Sequence, residues 1–285
     1  MKNENLTFGN RKLQDEKAVF EHNAWDDFDV TDEMQEEAEK KISLNCQITE
    51  DVDFINDTKN NSKLHWNNFY ANHKANFFKD RAWLFHEFPF LLENNLKILE
   101  VGCGVGNTVY PLYKANSSIL IFCCDISEVA INELKLDKRF DSLRIFPFVC
   151  DISQSPCNMQ LIQDNSLDYT SLIFVLSSIP LELMDSAVIN LHRKLRKGGK
   201  ILFRDYAKYD LAQLRFKSGR AVDSCSYARG DKTLVHFFTL EEVGNLFSKH
   251  GFHMSSSKYD RRLIVNRAKK LKMFRVWLQC EFLRE

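Results

Sequence analysis

The sequence has no apolar run near the ~20 residues that a membrane span requires, and Met1 to Asn10 has no apolar core. Neither a transmembrane helix nor a secretory leader is expected. The same stretch is not an Arg- and Ser-rich amphipathic segment, so an organelle transit peptide is not expected either, and a cytoplasmic protein is the default. None of the eight cysteines stands in a CxxC pair or at ligand spacing from a histidine. That argues against a zinc site or a disulfide framework, and no metal is expected. No internal repeat is visible. Net charge is missing too, with 39 basic and 39 acidic side chains. The balance conceals a polarity: residues 1–191 carry 17 Lys+Arg against 30 Asp+Glu, and residues 192–285 carry 22 against 9. A basic half is the footprint expected where a polyanion docks.

What is present is a chain of 285 residues, long enough for one large α/β domain with appendages. Residues 1–60 read as an extension. Trp25 to Glu39 is acidic and compatible with a helix capped by Thr31, Asn56 to Ser62 reads as a polar linker, and His65 to His73 as a helix. Residues 61–285 read as the main domain. From Lys97, short apolar runs alternate with amphipathic helices. Strands are predicted at 97–103, 118–124, 146–150, 167–176 and 199–203, and helices at 105–114, 128–134, 181–195 and 239–250. Segments 262–266 and 273–283 read as an antiparallel pair closing the sheet. This alternation predicts a mostly parallel, doubly wound Rossmann-like α/β fold, with residues 207–237 as an insertion on the substrate side.

The strongest motif is Ile98-Leu99-Glu100-Val101-Gly102-Cys103-Gly104-Val105-Gly106-Asn107, an apolar strand entering a glycine loop that opens a helix. Glycines allow a sharp turn and close approach to a ligand. The spacing is not the G-x-G-x-x-G shaped around a pyrophosphate. E-x-G-x-G-x-G resembles motif I of class I S-adenosylmethionine (SAM) methyltransferases, so SAM is the expected cofactor. Asp125 ends the next strand, 23 residues after Gly102. An acid about 20 residues on accepts hydrogen bonds from ribose hydroxyls in such folds. Asp151 ends the third strand, placed to accept from an adenine amino group while Ile152 packs on the ring. The fourth strand, Ser171 to Ser178, lacks the Asn/Asp-Pro-Pro-aromatic signature of enzymes that methylate exocyclic amines of bases. That favours attack by a ring nitrogen. On these motifs alone, a small-molecule or protein methyltransferase and an inactive RNA-binding scaffold remain alternatives.

Further segments resemble the tRNA 3-methylcytidine methyltransferases, a branch of the methyltransferase-like proteins. They are Phe8-Gly9-Asn10-Arg11, His22-Asn23-Ala24-Trp25-Asp26, Trp66-Asn67-Asn68-Phe69-Tyr70, Phe77-Phe78-Lys79-Asp80-Arg81 with Trp83, Arg204-Asp205-Tyr206, Gln213 to Lys217 and Arg229-Gly230-Asp231. The His22 to Asp26 element is similar to the subgroup that modifies threonine and some arginine tRNAs. Where that family usually reads Asn-Phe-Tyr-Val-Arg-Gly-Asp-Gly-Thr, this chain has Cys225-Ser226-Tyr227-Ala228-Arg229-Gly230-Asp231-Lys232-Thr233.

The resemblance implies methylation of ring nitrogen 3 of cytidine 32 in the anticodon stem-loop, with a helper protein as a possible determinant of substrate choice. It also implies a cofactor site of Trp66, Tyr70, Gly102, Gly104, Asp125, Asp151, Ile152 and Ile173. A ring nitrogen owns a lone pair and needs no general base, but the product is a cation. Asp205 and Asp80 are the candidate carboxylates to stabilise it, and Arg204 and Tyr206 complete the candidate catalytic set. Phe77, Phe78 and Tyr206 are candidate stacking groups, and Lys79, Arg81, Arg215, Lys217 and Arg229 candidate substrate contacts. Arg261, Arg262, Arg267, Lys269, Lys270 and Lys272 add plausible phosphate contacts.

Overall fold

The computed structural model describes residues 11–46, 51–73 and 77–285; the Phe8 to Asn10 part of the first family segment lies outside them. In chain order the elements are β1 (Ala24–Asp26), α1 (Asp32–Asn45), α2 (Val52–Asn60), α3 (Ser62–His73), α4 (Leu84–Glu87), β2 (Lys97–Val101), α5 (Val109–Ala115), β3 (Leu120–Asp125), α6 (Glu128–Leu136), β4 (Ile145–Val149), β5 (Leu167–Ile173), α7 (Leu181–Lys194), β6 (Leu195–Tyr206), α8 (Leu211–Leu214), β7 (Ser226–Ala228), β8 (Leu234–His236), α9 (Leu240–Ser248), β9 (Phe252–Asn266) and β10 (Leu271–Arg284).

Eight strands form one sheet in the order β1-β9-β10-β6-β5-β2-β3-β4. From β4 across to β6 all pairings are parallel; β10 then pairs antiparallel with both β6 and β9. The order reverses between β2 and β5, and ligands of open α/β sheets bind in the crevice at such a switch point, beyond the carboxyl ends of the strands. Core strands such as β2 and β3 are apolar on both faces because helices cover both. One apolar cluster, including Leu172, Leu191, Phe203 and Phe247, fills the α7/α9 side; another, including Leu84, Ile98, Leu112 and Leu134, fills the α4/α5/α6 side. No helix among the described residues is long and apolar enough to cross a membrane.

Several boundaries differ from the sequence reading. Asn56 to Ser62 is no linker: it ends α2 and begins α3, with Asp51 capping α2 by accepting from the Phe54 amide at 2.9 Å. Its polar residues belong to helices rather than marking a loop: Thr58 is completely buried, and Lys59, Asn60 and Ser62 line the cavity described below. Trp25 belongs to strand β1, in register with Leu263 of β9, and the helix starts only at Asp32 after its Thr31 cap. Helix α5 starts at Val109, because the glycine loop takes a further turn before the helix. Strand β9 runs ten residues further towards the N-terminus than the apolar stretch 262–266, through a polar run whose backbone pairs with β10. Helix α9 begins at Leu240 behind a reciprocal capping box between Thr239 and Glu242.

The acidic helix α1 and helix α2 pack on the 207–237 insertion. Glu39 accepts from the Tyr209 hydroxyl at 2.8 Å, Asp57 pairs with Lys232 at 2.6 Å, and Phe54 and Ile55 cover Val222, Ala228 and Leu234. Lys232 occupies the position where the family pattern has glycine, and it adopts φ +65.

Candidate active site

Three glycines of the β2–α5 loop take positive φ: Gly102 at +60, Gly104 at +53 and Gly106 at +95. An added Cβ at Gly102 would lie 2.4 Å from Val175 Cγ2, at Gly104 2.6 Å from the Tyr70 hydroxyl, and at Gly106 2.5 Å from the Tyr110 ring. The loop is therefore glycine both for its backbone angles and for close approach by its neighbours. It borders a cavity of about 550 Å³.

Asp125, at the end of β3, is 6% exposed and lines that cavity. Its Oδ2 accepts from the Gly104 amide at 2.9 Å and its Oδ1 from the Ser127 amide at 2.9 Å. Burial pushes its pKa up to about 6, against those backbone donors. Each oxygen retains a lone pair for a hydroxyl in the cavity. Asp151 is fixed by Ser153 (amide 3.0 Å, hydroxyl 2.6 Å) and by Gln154 Nε2 at 3.1 Å, with Ile152 beside it. Trp66 and Tyr70 of α3 and Ile173 of β5 complete this part of the lining. Every residue assigned to the cofactor thus lines one cavity. Its glycine wall is too close for any Cβ, and its two carboxylates sit at the ends of adjacent strands, which fits a nucleoside joined to an amino acid.

The Phe77 to Arg81 segment is fastened to the glycine loop. The Arg81 amide donates to the Asn107 carbonyl at 2.8 Å, and Asn107 Nδ2 donates to the Phe78 carbonyl at 3.2 Å and to Asp80 Oδ1 at 3.3 Å. The Arg81 guanidinium reaches Thr108 Oγ1 at 3.1 Å and lies 3.5 Å from the Glu100 carboxylate. Glu100 is completely buried, and burial, only partly offset by Arg81, pushes its pKa up to about 7. Phe78, Lys79, Arg81 and Trp83 line the cavity; Phe77 packs on Phe69, His73 and Phe78 outside it.

The two candidate carboxylates do not reach the cavity. Asp80 is exposed and pairs with Arg139 at 2.9 Å. Asp205 is wholly buried, accepting from the amides of Ser177 and Tyr206, both at 2.9 Å, with its pKa pushed up to about 6 by burial. It sits between Arg204 and Tyr206 on β6, and strand alternation turns it to the opposite face of the sheet from them. Arg204 is structural: it pairs with Asp260, donates to Gln279 Oε1 at 2.6 Å, and lies between the rings of Trp83 and Trp277 at 5.1 and 5.0 Å. Of the Arg204-Asp205-Tyr206 trio only Tyr206 lines the cavity. Arg229 donates to Thr233 Oγ1 and the Leu234 carbonyl and stands 5.6 Å over the Tyr206 ring, while Arg215 and Lys217 are exposed beyond α8.

The sequence reading missed Phe174, Val175, Arg275 and Trp277, all on the lining. Phe174 and Val175 lie within the Ser171 to Ser178 segment singled out above, though without an individual role; in the structure they follow the end of β5. Arg275 and Trp277 gave no signal, since β10 reads as an ordinary closing strand. Among the described residues no group of His, Cys, Asp and Glu could hold a metal ion.

Residues 71–257 match the protein family described as Methyltransferase domain. Among solved structures, a SAM-dependent methyltransferase from Methanosarcina mazei superposes with a TM-score of 0.54 at 17% identity, covering 72% of this chain and 100% of that one. One from Anabaena variabilis superposes at 0.56 and 14% identity, covering 78% and 95%. In sequence, the chain is 41% identical to the tRNA N(3)-cytidine methyltransferase METTL2 of Danio rerio, across 96% of this chain and 88% of that protein. It is 40% identical to the tRNA N(3)-methylcytidine methyltransferase Mettl2 of Drosophila melanogaster, across 96% and 87%. The tRNA(Thr) (cytosine(32)-N(3))-methyltransferase of Saccharomyces cerevisiae is 39% identical over 96% of this chain, which spans 45% of that longer protein. On the class I SAM-dependent methyltransferase fold, and with such relatives aligned over nearly its whole length, the chain belongs to the tRNA N(3)-cytidine methyltransferases.

Proposed function

We propose that this protein methylates ring nitrogen 3 of cytidine 32 in the anticodon loop of threonine or arginine tRNAs, using SAM. The observation that carries the reading is the character of the cavity beyond Asp125 and Asp151. Its remaining walls include Phe78, Trp83, Phe174, Tyr206 and Trp277, and no further carboxylate lines it among the described residues. Among the described residues no histidine lines it either, and a ring nitrogen with a free lone pair needs no general base.

SAM, when bound, supplies a methyl group already activated by its sulfonium. Gly102 and Gly104 let the backbone approach the methionine portion, Asp125 orients the ribose, Asp151 and Ile152 hold the adenine, and Tyr70 closes over the loop. The aromatic walls exclude water and offer their electron-rich faces to a base that becomes a cation. The loop nucleotide has to be splayed out to enter. Basic side chains of the C-terminal half hold the phosphates. A solved neighbour that is the partner of the Haloferax volcanii Trm112 methyltransferase activator, at TM-score 0.54 and 13% identity, gives the helper protein a precedent on this fold only. The cytoplasm is the proposed compartment.

The test is incubation of the pure protein with unmodified threonine and arginine tRNA transcripts and methyl-labelled SAM, followed by nucleoside mass spectrometry. The expected product is 3-methylcytidine, absent when cytidine 32 is replaced by uridine. Label on the exocyclic amine or on carbon 5 would overturn the reading.

A further inference from the structure

The cavity continues past the residues assigned to the cofactor, to the place where β6 and β10 pair. Trp277 is the cross-strand partner of Tyr206, so the two rings stand side by side on one face. Phe174 is held at φ +59, its amide donating to the Arg204 carbonyl at 2.7 Å. That brings its ring to 5.1 Å from Tyr206 and 6.5 Å from Trp277. Arg275, two residues before Trp277, projects to the same face of the strand, and its guanidinium lies 5.0 Å from the Trp277 ring. Both groups line the cavity.

The way Arg275 is held is informative. Asp210 is wholly buried, and both its oxygens take the same Nε of Arg275, at 2.9 and 3.2 Å. The carboxylate also accepts from the amides of Val276 at 2.8 Å and Ala212 at 2.7 Å. A guanidinium has five N–H donors, and this ion pair engages one. Neither Nη group is a buried polar atom lacking a partner. A fixed, charge-compensated donor edge therefore stands beside three aromatic rings.

We infer that this corner is the pocket for the target base and that Arg275 grips the O2 carbonyl of the cytosine. The inference rests on the tRNA-methylating reading above. Rings accept a flat base by stacking. A donor directed at O2 fixes the base in its plane while leaving the adjacent N3 lone pair unengaged, whereas a donor aimed at N3 would block it. Asp210 cancels the guanidinium charge, so Arg275 itself adds no net positive charge beside a base that becomes a cation. Asp210 acts as a positioning residue through Arg275.

The experiment compares wild-type and Arg275→Ala protein on tRNAs carrying cytidine or 2-thiocytidine at position 32, by single-turnover methyl transfer. Sulfur is a poor hydrogen-bond acceptor. The wild-type rate should fall about tenfold or more on the thio substrate, and the variant should fall comparably on cytidine, the loss expected for one charge-assisted bond. The variant should then lose nothing further on 2-thiocytidine, and its SAM affinity by calorimetry should be unchanged. If Arg275→Ala loses SAM binding through misfolding, Arg275→Met combined with Asp210→Asn, which leaves no buried charge unpaired and no cationic donor at the corner, takes its place in the same comparison. Equal sulfur effects in both proteins would overturn the inference, as would an unchanged rate on cytidine. A variant defect that vanishes at low salt would assign Arg275 to a phosphate instead and equally overturn it. Wild-type protein that makes no 3-methylcytidine on the ordinary tRNA would remove the underlying reading, a separate result.

Discussion

The hydroxyl of Tyr70 and the α-carbon of Gly104 are so close that one added methyl group would lie 2.6 Å from the oxygen, at a backbone φ of +53. Helix α3 thereby closes directly on the glycine loop. Gly104→Ala should lower stability by about 1–2 kcal/mol from the backbone alone, and abolish measurable SAM binding. Calorimetry and thermal melting check this. Adding Tyr70→Phe, which removes the nearest atom, should recover part of the lost stability. Unchanged SAM affinity in Gly104→Ala would show that the ligand does not need this approach.

Asp125 ties cofactor affinity to pH. Burial raises it from 3.8 to about 6, and hydroxyl donors require its ionised form. SAM affinity should therefore be full above about pH 7 and fall as pH drops through about 6. Stability of the free protein should respond in the opposite sense, because a raised carboxylate favours the fold while protonated and costs stability as it ionises. Asp125→Asn should flatten the pH dependence of affinity, and Asp125→Ala should weaken binding by about 10- to 100-fold. Titration calorimetry across this range decides, and an affinity indifferent to Asp125→Ala would exclude the ribose contact.

Asp205→Asn should act on the fold. Its carboxylate accepts two backbone amides away from the cavity, and an asparagine would set its own NH₂ against one of them. A loss of about 1–3 kcal/mol is expected, measured by denaturant unfolding. Methyl transfer by the folded fraction should be near wild-type. A rate defect without a stability defect would return Asp205 to the chemistry.

Replacing Lys269, Lys270 and Lys272 together with alanine should weaken tRNA binding and leave SAM affinity alone. These side chains are exposed at the turn joining β9 and β10. Each lysine–phosphate pairing removed should reduce the salt slope of log affinity by about 0.9 or less. Filter binding at several salt concentrations measures it, and an unaltered slope would move the RNA-binding surface elsewhere.

The cofactor half of the site was legible because its requirements are local. A glycine spacing, and an acid at the end of each of two strands, can be read along the chain. The helices and the closing hairpin were legible in kind from their periodicity, with boundaries blurred where polar residues cover a regular element, as at Asn56 to Ser62 and in the first half of β9. The base-facing half was not legible, because it is made across strands. Whether Asp205 or Tyr206 faces the cavity depends on β6 register, set by pairing with residues over seventy positions away. Arg204 entered the candidate catalytic set because its partners in the fold, Asp260 and Gln279, lie on other strands.

Strand β10 is the last of the sheet in sequence, yet it lies between β6 and β9, which are both made before it. A chain emerging from the ribosome therefore carries two unsatisfied strand edges facing one another, and an incomplete cavity, until this strand arrives to be inserted. Such exposed edges invite pairing with other chains. Because Arg275 and Trp277 belong to that inserted strand, the cavity is complete only once β10 is in place.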